Sequence, residues 1–134
     1  MKTLVFSVFV SLILVSCSGG SQKKSSDPIN ESTVYVYYFH GKQRCKTCMA
    51  VENITKQTIT DNYNGNDKVK FVEVETDNAD NTPLVEKYQI AWNALIIAQG
   101  DKHIDITNDA FATAVNSPEV LTEQIKTEVN KLIE

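Results

Sequence analysis

Thr33-Val34-Tyr35-Val36-Tyr37-Tyr38-Phe39-His40-Gly41, followed two residues later by Arg44-Cys45-Lys46-Thr47-Cys48, is the stretch that decides the fold of this chain. Thr33 to Phe39 is an unbroken run of β-branched and aromatic side chains, the pattern of a central strand covered on both faces. From Cys45 to about Thr60 there is neither glycine nor proline, so a helix can open at the first cysteine. A helix N-terminus carries partial positive charge and favours thiolate over thiol. Arg44 and Lys46 flank Cys45 and act in the same direction. Together these effects are expected to bring the Cys45 thiol from about 8.5 down to about 6–7. The two-residue spacer lets both sulfurs meet within one helical turn. Cys45 then reads as the nucleophile and Cys48 as the resolving thiol. A thiol of low pKa is also a good leaving group, so the pair is expected to be more oxidising than a cytosolic one. His40, five residues before Cys45, has two readings: a proton donor to the sulfurs, or a side chain that closes the strand end by hydrogen bonding.

The ends set the compartment. Lys2 precedes an apolar run from Leu4 to Val15, interrupted by Ser7 and Ser11 and closed by Ser16-Cys17. The run is short for a membrane span and resembles a bacterial lipoprotein signal, cleaved before Cys17 with acylation of that cysteine. An ordinary signal peptide or an anchor, with Cys17 incidental, is the alternative. Ser18 to Asp27 is Ser-, Gly- and Lys-rich with no large apolar side chain, as a flexible tether would be. The expected division is a signal over 1–16, a lipidated cysteine and tether over 17–32, and one domain over 33–134. Lipid on Cys17 would tie the chain to a membrane of the bacterial cell envelope, facing periplasm or exterior. Ser18 in place of aspartate leans toward the outer membrane.

Three cysteines then resolve into one lipidated residue and one pair. A pair this close encloses almost no loop, so it cannot staple the fold; exchange chemistry suits it better. The net charge of −4 is spread over the chain, and no basic stripe suggests nucleic acid. The small basic cluster of Lys42, Arg44 and Lys46 brackets the first cysteine.

Asp61 to Asp67 reads as a turn, its glycine and acids misplaced for a calcium loop. Val69 to Thr76 is a second strand, and Asn81-Thr82-Pro83 opens a short helix ending near Tyr88. Ala94 to Ala98 is a buried strand, Gly100-Asp101 a turn, and His103 to Thr107 an edge strand. Ser117-Pro118-Glu119 starts a last helix with an apolar stripe at Leu121, Ile125, Val129 and Leu132. The segment after Cys45 shows a weaker stripe at Ala50, Val51, Ile54 and Thr58. Strand, helix, strand, helix, hairpin, helix predicts an α/β three-layer sandwich: a mixed four-stranded sheet with helices on both faces.

That order, with Cys-x-x-Cys opening the first helix, resembles the thioredoxin fold from Thr33 to Glu134. Tyr37-Tyr38-Phe39-His40-Gly41 leading into Arg44-Cys45-Lys46-Thr47-Cys48 is similar to the thioredoxin-like family of the nitrophenyl compound nitroreductase subunit ArsF. Lys87-Tyr88-Gln89-Ile90 matches the thioredoxin pattern before the third strand. The resemblance implies a redox-active Cys45–Cys48 disulfide with no other cofactor, and a protein thiol, disulfide or redox partner. With no flavin fingerprint, the chain could at most pass electrons to a nitroreductase. It places Trp92, Asn93 and Ala94 in the loop that receives substrate. Ala94 stands where thioredoxins have a cis-proline, and a cis bond there would cost about 3 kcal/mol, so a trans peptide is expected. The spacer is Lys46-Thr47 in place of Gly-Pro, and Tyr38 stands where a buried aspartate is usual.

Two other classes remain. Two thiolates one turn apart suit copper(I) or arsenite, with Met49 as a nearby thioether; closed zinc would need four ligands. A non-catalytic subunit could use the same scaffold for docking. Trp92 reads equally as a substrate-contacting aromatic or as core, Met49 as core, and His103 as surface.

Overall fold

The computed structural model describes Ile29–Glu134; the expected signal, Cys17 and most of the expected tether lie outside the described residues. Strand β1 (Val34–His40) is buried along its whole length. It runs parallel to β2 (Val69–Glu75) on one side and antiparallel to β3 (Ala94–Gln99) on the other. β4 (Lys102–Asp105) pairs antiparallel with β3, giving the sheet order β2-β1-β3-β4. A right-handed crossover through α1 (Lys46–Tyr63) is what a parallel β1/β2 pair requires.

Alternation along β1 sorts its side chains between two cores. Val34, Val36 and Tyr38 face a cluster built with Val51 and Ile59 of α1, Ala110 of α3 (Thr107–Thr113), and Leu121, Ile125 and Val129 of α4 (Pro118–Ile133). Tyr35, Tyr37 and Phe39 face the other side, where Leu84 and Val85 of α2 (Thr82–Lys87) and Tyr88 close a smaller aromatic cluster. Helices therefore cover both faces of a mixed four-stranded sheet, as the element order predicts.

Local differences have physical causes. α1 continues through Asp61-Asn62-Tyr63, where a turn was expected, because Tyr63 packs on α4 and its hydroxyl donates to Asn130 Oδ1 at 2.8 Å. Its buried stripe includes Thr55 and Thr58, which a hydropathy pattern undercounts. Their hydroxyls are satisfied by donation to the carbonyls of Val51 and Ile54. The edge strand stops at Asp105: Ile106 turns inward, buried, and its carbonyl accepts the first bond of α3 from Ala110. α3 itself was not expected from the sequence. α2 ends with Gln89 in the left-handed region (φ 53°), and Ile90 N–H returns to Val85 O at 2.9 Å. This cap stops the helix and turns the chain toward Trp92 and Asn93.

Candidate dithiol site

The site lies where the C-terminal end of β1, the N-terminus of α1 and the start of β3 converge. Phe39 pairs with Ala94, so the loop of Ala91, Trp92 and Asn93 is held against Gly41 and the cysteines. Thr76 N–H donates to His40 O at 2.8 Å and Lys42 N–H to Asp77 Oδ2 at 3.3 Å, which fixes the β1–α1 loop from the β2 side. Between these walls is an open groove of about 670 Å³ with Cys45 and Cys48 on its floor.

Cys45 is the N-cap of α1, with an extended backbone (φ −87°, ψ 165°). Its Sγ accepts a hydrogen bond from Cys48 N–H at 3.0 Å, a donor pointed at the atom that becomes thiolate on reduction. Cys45 and Cys48 are joined as a disulfide, their Cα atoms 5.0 Å apart. Burial divides their roles: Cys45 is exposed, whereas Cys48 is 3% exposed. Only Cys45 can be reached by a bulky partner.

Asn93 touches the buried sulfur. Its Nδ2 donates to Cys48 Sγ at 3.0 Å, and its Oδ1 accepts from Gly41 N–H at 3.2 Å. Ala94 is buried at the start of β3, and all peptide bonds among the described residues are trans, including the one before Ala94. Trp92 is 84% exposed and lines the groove beside the disulfide, so it is no part of the core. Met49, expected inside, is 45% exposed. As the residue four positions after Cys45 it lies on the same helix face, one turn further along.

The flanking charges are distributed differently from what adjacency in sequence suggests. Lys46 is exposed at the first position of α1. Arg44 folds back: its guanidinium pairs with Glu52 of α1 and lies 3.6 Å from Glu73 of β2. Its positive charge is therefore shared with two carboxylates that sequence reading missed. Arg44 Nε is buried without a hydrogen-bond partner. His40 is buried, and both ring nitrogens are engaged, Nε2 with Glu73 Oε1 at 2.8 Å and Nδ1 with the Gly41 carbonyl at 2.9 Å. Its ring also stacks on Tyr38. These are strand-end contacts, and neither nitrogen is bonded to a sulfur. Tyr38 is fully buried, its hydroxyl donating to Cys48 O at 2.8 Å; burial pushes its ionisation above the ordinary phenol range. Among the described residues no group of three or more His, Cys, Asp or Glu side chains is placed to hold a metal ion.

Among solved structures, a zinc-bound form of human ERp44 superposes with a TM-score of 0.55 at 15% identity, over 75% of this chain and 28% of that one. The fold is thioredoxin-like. This thioredoxin-like chain thus spans under a third of that structure's length. A second structure, of a malarial protein, has a TM-score of 0.44 at 18% identity over 69% of this chain and 96% of that one. No family profile matches the chain, and no curated protein matches it. At this identity the likeness establishes the architecture; what the dithiol does rests on the site.

Proposed function

We infer that this chain is a thiol–disulfide oxidoreductase or electron-transfer protein that cycles Cys45 and Cys48 between dithiol and disulfide. The observation that carries this reading is the asymmetry of the pair: a solvent-facing sulfur capping a helix, bonded to a buried one, on the floor of an open groove. In the reducing direction the Cys45 thiolate attacks a substrate disulfide R–S–S–R′, forming Cys45–S–S–R and releasing R′S⁻, which takes a proton. The Cys48 thiolate then attacks Cys45 Sγ, closing the disulfide and releasing RS⁻. Two electrons pass to the substrate, and the reverse sequence oxidises a dithiol.

Trp92 is the residue we assign to substrate contact. An indole held out beside a reactive sulfur suits an apolar side chain of a protein partner. The N-terminal reading belongs to the same proposal: cleavage before Cys17, lipid on that cysteine, and a position in the bacterial cell envelope. The resemblance to the nitroreductase subunit family supports a role as an electron-passing partner.

Redox titration of the full-length protein in glutathione and dithiothreitol buffers, read by alkylation and mass, tests this reading. A reversible two-electron transition between about −270 and −120 mV is expected. A pair that stays reduced, or reacts only when copper(I) and arsenite are absent, would transfer the reading to soft-metal binding. The mass of the mature N-terminal peptide tests the lipid on Cys17.

A further inference from the structure

We propose that Asn93 is a catalytic residue that holds the resolving sulfur of Cys48 as a thiolate, a role that rests on the oxidoreductase reading. Cys48 is almost wholly buried, and burial disfavours a charged sulfur. Closure of the disulfide nevertheless needs Cys48 as S⁻, because the thiolate is the attacking species. The hydrogen-bond donor aimed at this sulfur is Asn93 Nδ2, at 3.0 Å.

The orientation of the amide is determined by its other end. Gly41 N–H is a donor and can bond only to the amide oxygen, which accepts it at 3.2 Å. The NH₂ group is thereby turned toward Cys48. Gly41 is fixed in turn, because the preceding carbonyl, His40 O, accepts from Thr76 N–H and Thr76 Oγ1. The donor is thus in place before charge develops on the sulfur, and no reorganisation is needed when it does.

The step balances within the chain and its substrate. In the mixed disulfide Cys45–S–S–R, Cys48 S⁻ attacks Cys45 Sγ. The Cys45–Cys48 bond forms, the Cys45–SR bond breaks, and RS⁻ leaves to take a proton from water. Asn93 stabilises the reactant thiolate without transferring a proton, and it lowers the pH at which closure reaches full rate.

The test uses reduced full-length protein mixed with a small aromatic disulfide and quenched in acid at intervals. Peptide masses separate the mixed disulfide on Cys45 from the closed Cys45–Cys48 product, and rates are followed against pH. Asn93→Asp keeps the acceptor for Gly41 N–H while replacing the donor with a negative charge. Its closure is expected to slow about tenfold or more at neutral pH, with the pH midpoint of closure raised by about one unit. Asn93→Ala should shift the midpoint in the same direction by less. Closure of both variants at the wild-type rate and midpoint overturns the assignment, as does slower closure with an unmoved midpoint. A wild-type protein that forms no mixed disulfide, or never closes it, overturns the oxidoreductase reading itself.

Discussion

The hydroxyl of Tyr38 donates to the backbone carbonyl of Cys48 at 2.8 Å, tying the buried central strand to the first turn of the dithiol helix. The phenol is fully buried beside that turn. Burial keeps it protonated, so it serves here as a neutral donor and a strut. Tyr38→Phe removes one buried hydrogen bond while keeping the ring. We expect a loss of about 1 kcal/mol in denaturant unfolding and no change in fold. Tyr38→Ala should cost about 3–5 kcal/mol through the cavity it leaves.

Arg44 and Glu52 form a half-buried pair, with Glu73 adjacent. Exposed pairs contribute about 0.2–1 kcal/mol. Lower solvent access at both partners should raise the coupling here to about 1–2 kcal/mol in a double-mutant cycle of Arg44→Ala and Glu52→Ala, read by urea unfolding. Because two carboxylates answer the Arg44 charge, Arg44→Ala should move the alkylation midpoint of Cys45 only slightly.

The exposure difference between the cysteines makes their substitutions unequal. Cys48→Ser leaves the accessible Cys45 with no resolving partner, so stable mixed disulfides with partner thiols should accumulate. Cys45→Ser leaves a thiol that is 3% exposed, and few adducts should form. Non-reducing electrophoresis of cell extracts, with Cys45→Ser/Cys48→Ser as the blank, reads the difference.

Trp92, at 84% exposure, contributes little to the folded state. Trp92→Ala should leave unfolding free energy within about 0.5 kcal/mol of wild type. With a reducible protein substrate the exchange rate should fall several-fold, while a small disulfide should react unchanged. Equal rates for both substrates would remove Trp92 from the binding surface.

Alkaline pH tests the aromatic packing. Tyr37, Tyr38, Tyr63 and Tyr88 are all raised above the ordinary phenol value, in each case chiefly by burial. A group with a raised folded pKa retains more protons in the native state once pH passes its unfolded value. Stability is therefore fully present below about pH 10 and declines as pH rises beyond it. The tyrosinate absorbance of these four rings should appear together with cooperative unfolding, and not ahead of it.

The α/β order, the cysteines at a helix start and the stripe of α4 were legible because each is written in consecutive or regularly spaced residues. Local patterns did not reveal α3. Thr107 to Thr113 is polar and short, and Ala110 is its one buried side chain. It is helical because Ile106 turns into the core and Ala110 packs behind it. The extension of α1 through Tyr63 has the same origin, a partner on α4 more than sixty residues away.

At the site, the order of residues alone sets the available chemistry: two thiols one turn apart, placed where a helix begins after a buried strand. Tertiary structure decided which thiol faces solvent and what surrounds it. Arg44 meets Glu52 and Glu73, His40 meets Glu73, and Asn93 meets Cys48. The last two contacts span 33 and 45 residues of chain. Such polar contacts carry no periodic signal, because they depend on strand register and loop closure. The sheet pairing that sets Phe39 against Ala94 brings Asn93 to the buried sulfur.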